Sequence, residues 1–192
     1  MPSHDLTMLE HTLLALAVQE PRSGYDLRKL FETTGMQQFS SSPGSIYPAL
    51  RRLEKRGFLA SAERSNGDRT RRLYRATAAG LRVTKAWVLA PATLDELRRD
   101  GRLPILRFAF LGAVGADRAA TRAFLASYRD ALVPYLAELR DLAEAMGQLP
   151  DPRLRLAIQH GIEQVKAQQR WIDQAQRSLG GKAKTQISRR RR

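Results

Sequence analysis

The 192-residue sequence contains no cysteine. That excludes a disulfide framework, a thiolate metal site and a cysteine nucleophile, and it suits a reducing compartment. Histidine is scarce as well: His4, His11 and His160 lie far apart, and no phosphate-binding glycine loop or paired metal-ligand motif accompanies them. An enzyme is therefore the weakest functional class, and neither a metal nor a cofactor is expected. Aromatic residues make up only 7% of the chain. The basic segments accordingly lack the interleaved aromatic platforms on which single-stranded bases stack. Long apolar runs are missing too: the stretch from Leu103 to Ala116 is interrupted by Arg107 and falls short of the ~20 residues a membrane span needs. The N-terminal apolar run is short and carries Asp5 and Glu10 where an export signal would carry basic residues. The expectation is a soluble, cytoplasmic protein.

Acidic residues are the other shortage, and it is local. The net charge is +14, yet residues 1–50 sum to −2 and residues 86–181 to only +2. Residues 51–85 hold 11 basic against 3 acidic side chains, and Lys182 to Arg192 adds 6 basic and none acidic. Two segments thus carry the excess, and each is a candidate polyanion contact. A solubilising charged face with a disordered tail is the plainer alternative.

Local signals place these segments on elements. Asp5 can cap a helix to about Gln19 with Leu9, Leu13, Leu16 and Ala17 at helical spacing, and Pro21 stops it. Ser23 precedes a second helix from Gly24 to about Thr34, with Leu27, Leu30 and Phe31 on one face and Gly35 as its stop. A third helix starts with Ser42 as cap and Pro43 in its first position. Its wheel is two-sided. Ile46, Ala49, Leu50 and Leu53 cluster toward a core; Gly44, Pro48, Arg51, Arg52 and Lys55 cluster opposite, with Ser45 and Tyr47 on the flanks. Small residues ahead of basic ones suit entry into a DNA groove, where the backbone approaches base edges and Arg and Lys reach phosphates. Pro48 lies inside this helix and predicts a local bend.

Gly57 ends the helix. Phe58 to Arg64 and Arg69 to Ala76 then read as two strands around Ser65-Asn66-Gly67-Asp68, Asn-Gly being a strong hairpin signal. The returning strand carries Arg69, Arg71, Arg72 and Arg75, suited to a narrow minor groove or the phosphates beside it. Thr77 caps a fourth helix, Ala78 to about Leu89, and Pro91 closes the domain.

The rest reads as all-helical, over about Ala92–Arg99, Pro104–Val114, Asp117–Met146 and Asp151–Leu179. Pro134 should kink the third of these. In the last, Leu154, Ile158, Ile162, Val165, Ile172 and Leu179 form a seam of coiled-coil type. Two such amphipathic helices joined by a tight connection leave apolar stripes whose simplest cover is a second protomer, the alternative being an intramolecular bundle. The predicted fold is mainly α: a winged helix-turn-helix with a two-stranded wing over residues 1–91, a helical dimerisation domain over 92–181 and a basic tail over 182–192.

The segments GYDLRKLFE, SPGSIYPALRRLEKRGFL and GDRTRRLYRATAAG closely resemble the PadR family of bacterial transcriptional regulators, and LPILRFAFLGAV with GIEQVKAQQRWIDQAQ resembles the helical C-terminal domain of its larger members. The resemblance covers nearly all of residues 5–180. It implies a homodimeric repressor bound to double-stranded DNA at an inverted repeat, nucleoid-associated, and released by a small, often aromatic or hydrophobic, effector. It implies groove contacts from Ser42, Ser45, Tyr47 and Pro48, basic contacts from Arg51, Arg52 and Lys55, and wing contacts from Arg69, Arg71 and Arg72. Trp87 and Trp171 are the candidates to line an effector site. A transcriptional activator of the same architecture and a basic RNA-binding protein stay open as alternatives.

Overall fold

The structure, a computed structural model, describes residues 6–33, 43–66, 69–148 and 151–180. In chain order these form α1 (Met8–Gln19), β1 (Arg22–Ser23), α2 (Gly24–Thr33), a 3-10 turn (Pro43–Ser45), α3 (Ile46–Lys55), β2 (Leu59–Asn66), β3 (Arg69–Ala76), α4 (Ala78–Leu89), α5 (Leu94–Asp100), α6 (Leu103–Ala109), α7 (Arg118–Ala145), a second 3-10 turn (Met146–Gln148) and α8 (Pro152–Gly180). They divide into two compact units: Met1–Ala90 with Leu106–Ala116, and Pro91–Ile105 with Asp117–Arg192.

The first unit is a winged helix-turn-helix built on α1. The Thr7 hydroxyl accepts a hydrogen bond from the Glu10 amide at 3.2 Å, while the Glu10 carboxylate accepts one from the Thr7 amide at 2.9 Å. That reciprocal cap satisfies two amides that helix geometry leaves open. It replaces the cap expected from Asp5, which lies outside the described residues. Leu9, Leu13, Leu14, Ala15, Leu16 and Ala17 are all buried, so α1 is covered nearly all round, by α3, α4 and β3. At the start of α2, the Ser23 hydroxyl accepts from the Asp26 amide and donates to the Asp26 carboxylate at 2.7 Å. The stop expected at Gly35 lies outside the described residues.

The two-stranded wing, β2 and β3, belongs to a sheet of three strands. β2 and β3 pair from Leu59↔Ala76 to Asn66↔Arg69, and Arg22 and Ser23 join the far edge of β3 opposite Tyr74 and Leu73. The order is β1-β3-β2. A strand of two residues is too short to show a hydrophobic period, which is why the sequence offers no sign of it. The hairpin loop, Gly67 and Asp68, lies outside the described residues. Thr77 caps α4 as expected, accepting from the Gly80 amide at 3.0 Å. Gly80 is required where it stands, since a Cβ there would lie 2.1 Å from the Phe58 carbonyl oxygen.

Two expectations about helices change. Pro48 does not sit in a helix interior: the 3-10 turn delays α3 until Ile46, so Pro48 falls in the first turn, where its missing N–H would have had no partner within the helix. The helix foreseen up to Val114 ends at Ala109. It gives way to turns that close at Gly115, in the left-handed region at φ 69°.

In the second unit Thr93 caps α5 and Asp117 caps α7, each through a side-chain oxygen accepting from the third amide of its helix. α7 runs unbroken through Pro134, which is exposed; water can serve the carbonyl that the proline leaves free. α7 and α8 form an antiparallel hairpin. Arg129 binds Asp173 and Gln176, and further along Leu139 packs at Gly161. The premise that these helices leave their stripes uncovered is corrected here. Ile158, Ile162, Val165 and Ile172 are buried within this one chain, as are Leu125, Leu132 and Leu136 of α7. Only Leu154, of the five seam residues assigned to a dimer interface, is exposed. Among the described residues no helix is long and apolar enough to cross a membrane.

Candidate nucleic-acid interface

Helix α3 carries the contrast on which the interface depends. Ile46, Ala49, Leu50 and Leu53 are fully buried and hold the helix against α1 and α2. Tyr47, Arg51, Arg52 and Lys55 are exposed, and Ser45 and Pro48 are half-buried. The Tyr47 ring, 41% exposed, lies across the first residue of α2. A Cβ at Gly24 would come within 2.6 Å of its Cε1, so glycine at position 24 makes room for this tyrosine. Ser42 lies outside the described residues.

The exposed arginines are not equivalent. Arg52 donates from Nε to Glu10 Oε1 at 2.7 Å, and Glu10 is only 2% exposed. Burial pushes the Glu10 carboxyl up, but the Thr7 amide and the Arg52 guanidinium outweigh it and hold the group below its ordinary value. Arg72 is similarly held. Its Nη2 donates to both Glu54 oxygens at 2.8 Å and its Nε to Ser61 Oγ at 2.7 Å, while Ser61 donates to Glu54 Oε1 at 2.5 Å. The Ser61 hydroxyl and then Arg72 hold the Glu54 carboxyl below its ordinary value. Two arginines assigned to DNA therefore already bind carboxylates within the protein.

Arg51, Lys55, Arg64, Arg71 and Arg75 are exposed. None of them has an ion pair with another described residue. The register puts Arg64 directly opposite Arg71 and Arg75 opposite Ala60. Side chains alternate along a strand, so Arg64, Arg71 and Arg75 share one face of the hairpin. Like charges directly opposite destabilise a strand pair, a cost that a polyanion across the face would remove. Arg69 stands opposite Asn66 at the hairpin end, its side chain outside the described residues. Between the start of α2, α3 and β3 lies an open groove of about 700 Å³ lined by Ser23, Gly24, Tyr25, Tyr47, Thr70, Arg71, Arg72 and Tyr74.

Sequence reasoning named Arg51, Lys55, Tyr47 and Arg71 as site residues and missed Tyr25, Arg64, Glu10 and Glu54. Of these, Arg64 was within reach, because an Asn-Gly hairpin fixes which residues face each other. The carboxylates were not, because they act across 42 and 18 residues of chain.

The two tryptophans fall in different units. Trp87 stacks on His11 within the first, ring centroids 4.6 Å apart and planes 10° from parallel. Trp171 lines a mainly apolar cavity of about 350 Å³ within the second, together with Gly101, Arg102, Ile105, Tyr128, Ala167 and Gln168. Arg102 in its wall is paired with Asp100 at 2.7 Å. Tyr128 is buried, and that burial, helped by the Glu96 charge, pushes its phenol well above the ordinary value.

Comparison with known proteins supplies the last observation. Residues 13–86 match the family described as "Transcriptional regulator PadR-like family". Over 59 residues the chain is 56% identical to Transcriptional regulator Rv3488 of Mycobacterium tuberculosis (strain ATCC 25618 / H37Rv), a match covering 31% of this chain and 52%, about half, of that relative. It is 22% identical over 180 residues to Negative transcriptional regulator PadR of Bacillus subtilis (strain 168), covering 88% of this chain and 95% of the relative. Among solved structures, Bacillus subtilis PadR in complex with operator DNA is similar at a TM-score of 0.42 and 20% identity, covering 89% of this chain and 98% of that one.

Proposed function

The chain belongs, by its residues 13–86, to the PadR-like family of transcriptional regulators, and from that premise we propose that it is a homodimeric repressor of the cytoplasm and nucleoid that binds an inverted repeat in duplex DNA. The observation that carries this reading is the two-sidedness of α3: four fully buried apolar residues fix it, and its exposed side offers Tyr47, Arg51 and Lys55 beside a hairpin face of Arg64, Arg71 and Arg75. A surface of that kind positions itself on phosphates with its cations and reads base edges with its uncharged helix start. Residues 1–91 serve as the DNA-binding domain, residues 92–181 as the dimerisation domain, and the protein acts without catalysis of its own. The repressing sign follows the relative named as a negative regulator.

Release from DNA is through a small aromatic or hydrophobic compound held against Trp171 in the second unit's cavity. The apolar walls favour such a ligand, and Trp171 is a built-in reporter. Trp87 stacks on His11 in the other unit, so the proposal rests on Trp171.

The test is fluorescence anisotropy on the duplex immediately upstream of the protein's own gene, across a salt series, with double-stranded RNA and scrambled DNA as competitors. Preference for the upstream duplex with a steep salt dependence supports the reading. Equal competition by RNA would replace it with the RNA-binding alternative. Quenching of Trp171 in a Trp87→Phe background by compounds that release the duplex tests the effector site.

A further inference from the structure

Glu54 is the single acidic residue of α3, set in sequence between Arg51, Arg52, Lys55 and Arg56. A carboxylate there opposes the attraction of the surrounding cations for any polyanion, so its presence on this helix calls for a reason. The structure gives it three bonds from two other elements. Ser61 of β2 donates to Oε1, and Arg72 of β3 donates to both oxygens. Arg72 is further fixed by its bond to Ser61 Oγ and by the Tyr74 ring 5.6 Å from its guanidinium carbon, and Glu63 faces it from β2. One carboxylate thus ties the last turn of the helix to both strands of the wing.

Resting on the reading that α3 and the hairpin contact duplex DNA together, we propose that Glu54 is a positioning residue for recognition: it locks the wing to the helix and withholds Arg72 from phosphates, which makes binding selective. The two consequences differ in sign. Without the lock, the wing must be ordered each time DNA binds, which weakens binding to a correctly shaped site. Without the carboxylate, a guanidinium is released and one negative charge disappears, which strengthens binding to duplex of any sequence. A purely structural carboxylate would, on removal, weaken both kinds of binding or neither.

The experiment uses the full chain and two duplexes, one selected by the wild type from a randomised pool and one scrambled from it, with anisotropy across a salt series. Thermal unfolding of every variant verifies the fold. Glu54→Gln should bind the scrambled duplex about threefold to tenfold more tightly, with a salt slope steeper by about 1, the signature of one more phosphate contact. Its preference for the selected duplex should fall about tenfold. In Glu54→Gln combined with Arg72→Gln the gain on scrambled DNA should vanish, since no guanidinium remains to release. Glu54→Asp keeps the charge but shortens the reach, so it should lose selectivity without gaining affinity for scrambled DNA, and it keeps the test decisive if Glu54→Gln unfolds. Parallel losses on both duplexes, or an unchanged ratio in Glu54→Gln and Glu54→Asp, would overturn the proposal. A wild type that selects no duplex at all would instead overturn the reading on which it rests.

Discussion

The two compact units cover their apolar side chains to different extents. In the first, Leu13, Leu14, Leu16, Leu27, Ile46, Leu50 and Leu53 are shut off from water, and of the three large apolar or aromatic residues exposed among its described residues, two, Tyr25 and Tyr47, line the groove beside α3. In the second, Leu97, Leu125, Leu132 and Ile172 are as deeply buried, yet Val133, Leu142, Leu154 and Leu156 stand 45–62% exposed. Three of those four lie in the turns of α7 and α8 nearest their connection, where Met146–Gln148 joins the helices. What each unit offers to a partner is therefore different. The first presents cations, which water solvates well until a polyanion replaces that water; the second presents clustered aliphatic side chains, which water does not solvate favourably. On the proposed function, DNA answers the first surface and a second copy of the chain the second.

The largest test of that contrast is truncation of a side chain on each side of it. Leu50→Ala should destabilise the first unit by about 2–5 kcal/mol, because the site is closed and a cavity remains. Leu156→Ala should change stability by less than about 0.5 kcal/mol. Chemical denaturation of the two variants measures both, and equal losses would erase the distinction between a sealed core and an open surface. Next in size is Leu154→Glu combined with Leu156→Glu. With two charges placed in the proposed contact, the dissociation constant of the dimer should rise at least tenfold, about 1.4 kcal/mol; sedimentation at graded concentrations reads it. An unshifted association curve would place the dimer contact elsewhere.

How much of this was legible beforehand depended on range. α4 and β3 read out residue for residue, because a Thr77 cap, a Pro91 stop and an Asn-Gly turn are local signals. The buried and exposed sides of α3 followed from helical spacing alone. β1 did not, since two residues have no period; the start of α1 at Thr7 was legible in the Thr7-x-x-Glu10 capping box, which the reading of Asp5 as the cap overlooked. α8 shows a deeper limit. A stripe such as Ile158, Ile162, Val165 and Ile172 has the same spacing whether it faces α7 of its own chain or a partner. The structure buries it in the chain and leaves only Leu154, at the stripe's end, exposed.

Neighbouring arginines sharpen the comparison within the first unit. Arg51→Ala should reduce the salt slope of DNA binding by about 1 and leave stability within about 0.5 kcal/mol, because Arg51 has no ion-pair partner among the described residues. Arg52→Ala should do the reverse: about 1 kcal/mol of stability lost, since the Glu10 carboxylate beneath it is deprived of a charged donor, with a smaller change in slope. Salt titrations and thermal melts on both variants separate the two roles, and identical behaviour would return Arg52 to the DNA surface.

The smallest expected effect is on acid sensitivity, and it too separates buried from exposed chemistry. Glu10 has a folded-state value below its ordinary 4.5, the Thr7 amide and Arg52 outweighing the upward push of burial. Such a group contributes stability that is fully present well above the unfolded value and is lost as pH falls through the lowered folded value. Stability of the first unit should therefore decline from about pH 5 downward, with part of the decline carried by Glu10. Glu10→Gln should be less stable than wild type at neutral pH, but the difference should narrow as pH drops toward 3, because wild-type Glu10 is then losing its charge as well. In the second unit Glu138 is also held below its ordinary value, by Arg98. That pair is open to solvent on both sides, so salt and water screen it, and Glu138→Gln should leave the pH profile almost unchanged. Denaturation curves from pH 7 to 3 on the two variants give the comparison. Convergence for Glu10→Gln alone would mean that burial makes this carboxylate matter, whereas parallel profiles for both would leave the Arg52 contact no stronger than a surface pair.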